Sequence, residues 1–551
     1  MNQYALLHVP DSRYCFAIGP RDIVIRLRTA KEDQDIRVFL EYGAKYEFQT
    51  HRNEVEMMAH YQDHLYNYYE KKLELSDVRL AYIFRIEEGG KSFYYSEDGL
   101  TEDYNYPESF YNFFQMPYIN TNDLMVTVPW MRGAVFYQIF IDRFCIGDYN
   151  KDFSYINMKW GEKPTPYSFA GGDLKGIQNR LDYLQELGIN AIYLTPIFLS
   201  KSNHKYDIQD YKTIDPMFGT MKDLKDLVAD AHKRGIRIVL DAVFNHCSMD
   251  MKEFQDVLEK GRKSDYFDWF LIHGDRPDPE LMNYECFASC NYMPKLNTAN
   301  PKVQDFLLDI ALYWIREADI DGWRLDVSDE VSHDFWRNFR REVKKVKEDC
   351  VIIGENWHDA YAYLMGDQYD SIMNYAFTKA CLDYFAHDKF QAGQMAEKLN
   401  GILMRNTEPV NRMMLNLLDS HDTLRFMTEL GGNKKRMLCA IALSIVFPGA
   451  TCLYYGTEIG MEGGFDPDSR RCFDWDQSHW DQAFLEEVKK LITLKKKDAL
   501  RYGEVRVTAE NGLLHVLRRH QNQVLHLRIN LTQEEIEGIA PETYEIEEES
   551  I

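Results

Sequence analysis

The sequence has no CxxC pair among its ten cysteines. A zinc ribbon and a thioredoxin-type redox pair are thereby excluded, and the scattered thiols read as reduced core residues of a cytoplasmic protein. No run of about 18 apolar residues is present, so no membrane-spanning helix is expected. The opening stretch, MNQYALLHVPDSRY, lacks a basic segment followed by an apolar one, and no secretory signal is read there. Positive charge is in short supply: 64 Lys and Arg stand against 88 Asp and Glu, a formal net charge of -24. A chain this acidic offers no basic face to phosphate groups, which argues against nucleic acid and anionic membranes as partners.

What the sequence does have is a change of pattern along its length. Residues 1–120 carry short β-rich runs, YCFAIG, DIVIRLRTA, IRVFLEYG and LAYIFRIEE, with a hairpin signal at Gly89-Gly90. They predict an N-terminal β-sandwich. From about residue 133, strands and helices alternate. Eight candidate strands follow one another: AVFYQIFI, NAIYLTP, IRIVLDAVF, DGWRLDV, CVIIGE, SIMNY, RMMLNLL and CLYYG. Helical runs lie between them, with Leu174, Ile177, Leu181 and Leu184 on one face, and Val303, Phe306, Leu307, Ile310 and Trp314 on another. The pattern predicts a (β/α)8 TIM barrel over residues 121–496. A doubly wound open sheet is the alternative, weakened because no GxGxxG follows the first strand. Over 50 residues separate Phe244 from Pro301, too long for a plain connection, and an inserted subdomain at about 244–300 is expected after strand 3. A small C-terminal β-domain, 497–551, closes the chain in a solvated acidic edge.

The strand IDGWRLDV places Arg324 and Asp326 two positions apart, hence on the same side. Barrel enzymes carry their chemistry at the C-terminal strand ends. There the sequence also puts Asp241, Asn245 and His246 after strand 3, Glu355 and Trp357 after strand 5, and His421 and Asp422 after strand 7, with His204, Tyr206 and Asp207 beyond strand 2. Any one of them reads equally as a helix cap or a structural pair. Three acids, one Arg and two His gathered at one barrel face are too costly to bury for stability alone. Glycoside hydrolysis requires such a set, two carboxyls flanking the scissile bond, with aromatic rings such as Tyr206 and Trp357 against the sugar faces. A metal-dependent amidohydrolase would want HxH on strand 1, where FYQIFIDRF stands instead.

DAVFNH, GWRLDV, GEN and LLDSHDT closely resemble the four signature regions of the α-amylase family of glycoside hydrolases. MPKLN at 293–297, HKYD and DPDSRR resemble its neopullulanase, cyclomaltodextrinase and maltogenic amylase subgroup. The resemblance implies Asp326 as nucleophile, Glu355 as general acid/base and Asp422 as transition-state stabiliser. It implies that His246, Arg324 and His421 hold the sugar at the cleavage subsite, that Tyr206 is its stacking platform, and that Asp466 and Arg470 contact the next sugars. Phe287 and Trp357 would shape the leaving-group side. Arg324 is expected to lower the pKa of Asp326, whereas Glu355 must begin protonated and is expected to titrate high. A retaining double displacement demands carboxyls about 5 Å apart.

The resemblance further implies a cytoplasmic hydrolase of α-1,4 bonds in cyclodextrins, pullulan and short maltooligosaccharides, forming a homodimer through the N-terminal domain, whose aromatics Tyr42, Tyr46 and Phe48 either serve the partner or fill the sandwich core. A transglycosylase or sucrose isomerase on the same barrel is the alternative, and a non-catalytic amylase-like binding partner a further one. Some members bind calcium, here implied at Asp148, Asn150, Asp152, Gly171 and Asp173, although Ile146 stands where an oxygen ligand is expected.

Overall fold

The strands expected between residues 134 and 456 form one parallel sheet in the computed structural model, which describes residues 1–550. They are β1 (Val135–Ile139), β2 (Ala191–Leu194), β3 (Arg237–Ala242), β4 (Gly322–Leu325), β5 (Val351–Gly354), β6 (Ser371–Ile372), β7 (Leu415–Leu417) and β8 (Ala450–Tyr454). Their order is β6-β5-β4-β3-β2-β1-β8-β7. A parallel bridge from Met373 to Leu415 closes the ring, and the Asn374 N–H donates to Leu415 O at 2.8 Å. The open-sheet alternative is thereby set aside. Every residue of these strands except Arg237 is buried, as a parallel sheet covered on both faces requires. Phe136, Tyr193, Val239, Val351, Ile353, Leu415 and Leu417 belong to one core cluster.

Helices follow the strands with the caps their sequences provide. Met221–Lys233 opens on a Thr220/Asp223 capping box. Pro301–Ala318 has Asn300 at its N-cap, Pro301 in its first turn, and Val303, Leu307, Ile310 and Trp314 buried. One expected helix is missing. Between β5 and β6 the chain makes only a 3-10 turn, Tyr361–Tyr363, because that connection is taken up by residues facing the cleft described below. The long insertion folds back on itself through bridges His246–Lys295, Phe270–Leu296 and Cys286–Pro294. Phe254 packs edge-on against Phe270 and Tyr284 at its centre.

By its contacts the chain falls into two compact units, residues 1–127, 390–411 and 504–518 in one and the rest in the other. In the first, strands Asp22–Ala30, Ile36–Ala44, Asn53–Gln62, Tyr66–Glu74 and Leu80–Glu88 pair antiparallel. Ile23, Ile25, Leu27, Val38, Leu40, Tyr82, Phe84 and Ile86 alternate into a common core. Helix Ala392–Met404 belongs to this unit, its Asn400 amide donating to Gln62 O and Val507 O, both at 3.1 Å. Phe48 is buried with Ala81, Ile83 and Phe113, and Tyr42 packs on the main core. Tyr46 is 69% exposed. At the chain's end a small C-terminal sheet is present. The acidic edge is its strand Thr543–Ser550, where Arg528 pairs with both Glu545 and Glu547.

Candidate active site

β4 delivers Arg324 and Asp326 to one buried cluster. Arg324 Nη1 donates to Asp241 Oδ1 and Oδ2 (3.0 and 2.9 Å) and to Asp326 Oδ1 (2.8 Å). Its Nη2 lies 2.8 Å from Glu355 Oε1, an ion-pair contact. One guanidinium therefore holds Asp326 and Glu355 together, and Asp241 anchors it with both carboxylate oxygens. Tyr193 and Tyr206 hydroxyls donate to Asp241 Oδ2 at 2.6 and 2.9 Å.

Local backbone sets the second carboxyl. Immediately after Asp326 the chain turns through Val327 at φ 45°, a left-handed conformation costly for a β-branched residue. That turn aims the Val327 N–H at Glu355 Oε2, 2.9 Å away. Gly354, just before Glu355, allows a close approach, since a Cβ there would lie 2.5 Å from the Tyr369 ring. Trp357 is stacked on Tyr375 at 3.6 Å and its indole N–H reaches Glu355 Oε1 at 3.3 Å.

Burial favours the neutral forms of His246 and His421. Burial pushes His246 down to about 3, with the charges of Lys295 and His204 acting in the same direction. Burial also holds His421 well below its ordinary range, aided by Arg470 and Arg324. His421 Nδ1 is 2.7 Å from the Gln138 amide nitrogen and Nε2 is 2.6 Å from the Tyr206 hydroxyl. Because Tyr206 gives its one proton to Asp241, His421 donates from Nε2 and accepts at Nδ1. His246 Nε2 is buried without a partner, 4.0 Å from Asp326 Oδ2.

The acidity of Asp326 differs from expectation. Burial pushes it above the ordinary carboxylate range. Arg324 opposes this, while Glu355, Asp241 and Asp422 add to it. Asp241 is likewise pushed up to about 6 by burial, against the pull of Arg324 and the two tyrosines. A single guanidinium shared among three carboxylates does not neutralise them all.

Asp326, Glu355 and Asp422 line one cleft of about 540 Å³ with Tyr206, His246, Phe287, Trp357, Asp466 and Arg470. Arg324 and His421 lie beneath it, both buried. Arg470 Nη1 pairs with Asp466 Oδ1 at 3.0 Å, and its Nε donates to His421 O. The cleft also has walls that sequence reasoning missed: Cys290 and Tyr292 from the insertion, Asp329 and Glu330 after β4, and His358; Met293, which opens the MPKLN stretch, lines it too. Gln138 was missed too, although a lone amide within the apolar strand FYQIFI marks it out.

The residues of the expected calcium loop do not fit the ion. Lys151 Nζ takes Asp173 Oδ2 and Gly171 O. Asp148 is turned to the Asn150 N–H, and Asp152, at the surface, to Ser154. Among the described residues no group of three or more His, Cys, Asp or Glu is arranged to hold a metal.

Fold and site together define a barrel glycoside hydrolase. Residues 138–530 match the catalytic domain of α-amylase, and residues 1–120 match the α-amylase N-terminal Ig-like domain. A cyclomaltodextrinase of Thermoanaerobacter pseudethanolicus is 44% identical over 510 residues, 91% of this chain and 88% of that protein. An intracellular maltogenic amylase of Bacillus subtilis is 42% identical over 505 residues, covering 90% and 85%. A solved cyclomaltodextrinase superposes with a TM-score of 0.92 at 38% identity, covering 97% of this chain and 92% of that one. The chain belongs to the α-amylase family of glycoside hydrolases.

Proposed function

We propose that the protein hydrolyses α-1,4 glucosidic bonds in cyclodextrins, pullulan and short maltooligosaccharides, retaining anomeric configuration by double displacement. The observation that carries this reading is the single Arg324 guanidinium gripping Asp326 and Glu355 at the floor of the cleft. Asp326 attacks the anomeric carbon from the oxygen not bound to Arg324, while Glu355 protonates the departing glycosidic oxygen. A glycosyl ester on Asp326 results. Glu355, now a carboxylate, takes a proton from water as it attacks that ester, and both residues return to their starting forms.

Asp422 is the most exposed of the three, its side chain 30% exposed, with His421 Nε2 3.3 Å from Oδ2 and Arg470 Nη2 3.6 Å from Oδ1. That exposure suits it to hydrogen-bond sugar hydroxyls and to stabilise positive charge at the anomeric carbon. The unpartnered His246 Nε2 is a donor for a hydroxyl of the sugar that rests on the Tyr206 ring, while the His421 Nε2–H holds the Tyr206 hydroxyl in place. Phe287 and the half-exposed Trp357 offer apolar faces to the leaving group, and Asp466 with Arg470 serves the sugars beyond.

The reading extends to assembly and location. Tyr46 and Phe110 stand exposed side by side on the N-terminal unit, next to the 89% exposed Tyr111. Such a patch suits a homodimer contact. A cytoplasmic location agrees with ten free cysteines, eight of them buried, and with the relative named as intracellular. Product analysis with cyclodextrin, pullulan, starch and sucrose tests the substrate class. Maltose and glucose from cyclodextrin, with sucrose untouched, are expected. Isomerised sucrose, or transfer products without free sugar, would contradict it.

A further inference from the structure

The loop after β1 and the AGGD turn are joined by a buried cation that the chain itself supplies. Lys151 Nζ is 2.6 Å from Gly171 O, 3.0 Å from Met217 O and 2.8 Å from Asp173 Oδ2. The lysine side chain is 7% exposed and that of Asp173 1%. Asp173 is saturated by donors: Oδ1 accepts from the Gly147 and Gly176 N–H groups at 3.0 and 2.7 Å, and Oδ2 also from Asp148 N–H at 3.1 Å. One carboxylate balances one ammonium, and both are hydrogen-bonded, the condition under which a buried pair is tolerated.

A divalent ion has no such fit. Calcium takes about six to eight oxygens, and this cage offers two carbonyls and one carboxylate already bound by three N–H groups. Its far side is apolar. A Cβ added to Gly171 would meet Ile156 at 2.4 Å and Ile146 at 3.7 Å, so both isoleucines lie against the turn.

We propose that the Lys151 ammonium is the resident cation of this cage, taking the place of calcium and making the fold independent of that ion. The consequence reaches the cleft. Met217, whose carbonyl Lys151 holds, also places its sulfur 3.4 Å from Lys205 Nζ. Lys205 is buried in an ion pair with Asp215 at 2.7 Å, sits at φ 66°, and directly precedes Tyr206. The cage thus fixes the turn against which the segment bearing Tyr206 is anchored, and Lys151 is a positioning residue for it.

The test is thermal unfolding and cyclodextrin hydrolysis of the full-length protein in EDTA and in millimolar calcium chloride, with Lys151→Met alongside and Lys222→Met, at a solvent-exposed lysine, as control. The wild type is expected to give the same midpoint and rate in both buffers. Lys151→Met is expected to unfold several degrees lower in EDTA and to show a raised KM, while Lys222→Met matches the wild type. A wild-type midpoint or rate that falls in EDTA and returns with calcium would overturn the proposal. So would a Lys151→Met variant as stable as the control. The wild-type arm decides the matter even if that variant does not fold.

Discussion

At the scale of single residues, proton positions in the cleft are set by individual hydrogen bonds. Gln138 sets the His421 tautomer through the 2.7 Å contact at Nδ1. Gln138→Leu is expected to lower kcat/KM by about ten- to a hundredfold, the usual cost of losing a group that orients a functional histidine. Gln138→Glu places a carboxylate there, draws the imidazole towards its protonated form and is expected to move the acid limb of the pH–rate profile upward. A profile identical to wild type in Gln138→Glu would leave Gln138 with a packing role only. Glu355→Gln removes the proton donor, so aryl glycosides with good leaving groups are expected to retain more activity than maltotriose. Equal losses on both substrates would count against acid catalysis by Glu355. The carboxylates, Arg324 and both histidines were legible because strand ends are conspicuous in a barrel. The upward shift of Asp326 was not, since it depends on how many carboxylates share Arg324, and Asp241 is brought in from another strand.

At the scale of elements, burial governs response to acid. His8 sits in the N-terminal unit, with Nδ1 2.7 Å from Arg26 O, Nε2 2.8 Å from the Tyr82 hydroxyl, and the rings of Phe84 and Phe114 around it. Burial lowers it from 6.5 to about 4. Below pH 6.5 the unfolded chain binds a proton that the folded unit does not, so the stability conferred by neutral His8 is complete above about pH 6.5. It is lost progressively as pH falls towards 4, by up to about 3 kcal/mol. Melting temperature against pH is therefore expected to fall less steeply from 6.5 to 4 in His8→Leu than in wild type. Parallel curves would show that His8 does not titrate there. Among the elements themselves, the eight strands could be read from apolar runs between turn signals. The missing helix after β5 could not, because the ring of Tyr363 is spent in stacking on His333 and Tyr369, contacts with residues distant in sequence. The grouping of Ala392–Met404 with the N-terminal strands was equally hidden, since sequence order places that helix in the barrel.

At the scale of the molecule, the homodimer proposed above is expected to narrow the site and so to favour rings and short chains over starch. Because Ala392–Met404 and Glu504–Glu510 share a unit with the N-terminal strands, deleting residues 1–120 would strip them, and surface substitution is the cleaner test. Sedimentation of the wild type is expected to show a dimer, with an interface above the roughly 1,600 Å² of a standard contact. Tyr46→Glu with Phe110→Glu is expected to yield monomers whose preference for cyclodextrin over soluble starch is reduced. A wild type that is monomeric at micromolar concentration yet keeps that preference would detach specificity from assembly. The central claim is that Asp326 forms the covalent intermediate of a retaining α-glucan hydrolase. It is tested most directly by trapping that intermediate with a 5-fluoro-α-glucosyl fluoride in Glu355→Gln and mapping the labelled peptide. The sugar is expected on Asp326, and Asp326→Asn, folded as wild type, is expected to take no label and to lose at least about a thousandfold in turnover. Label on another carboxylate, or near-normal turnover by Asp326→Asn, would contradict the account.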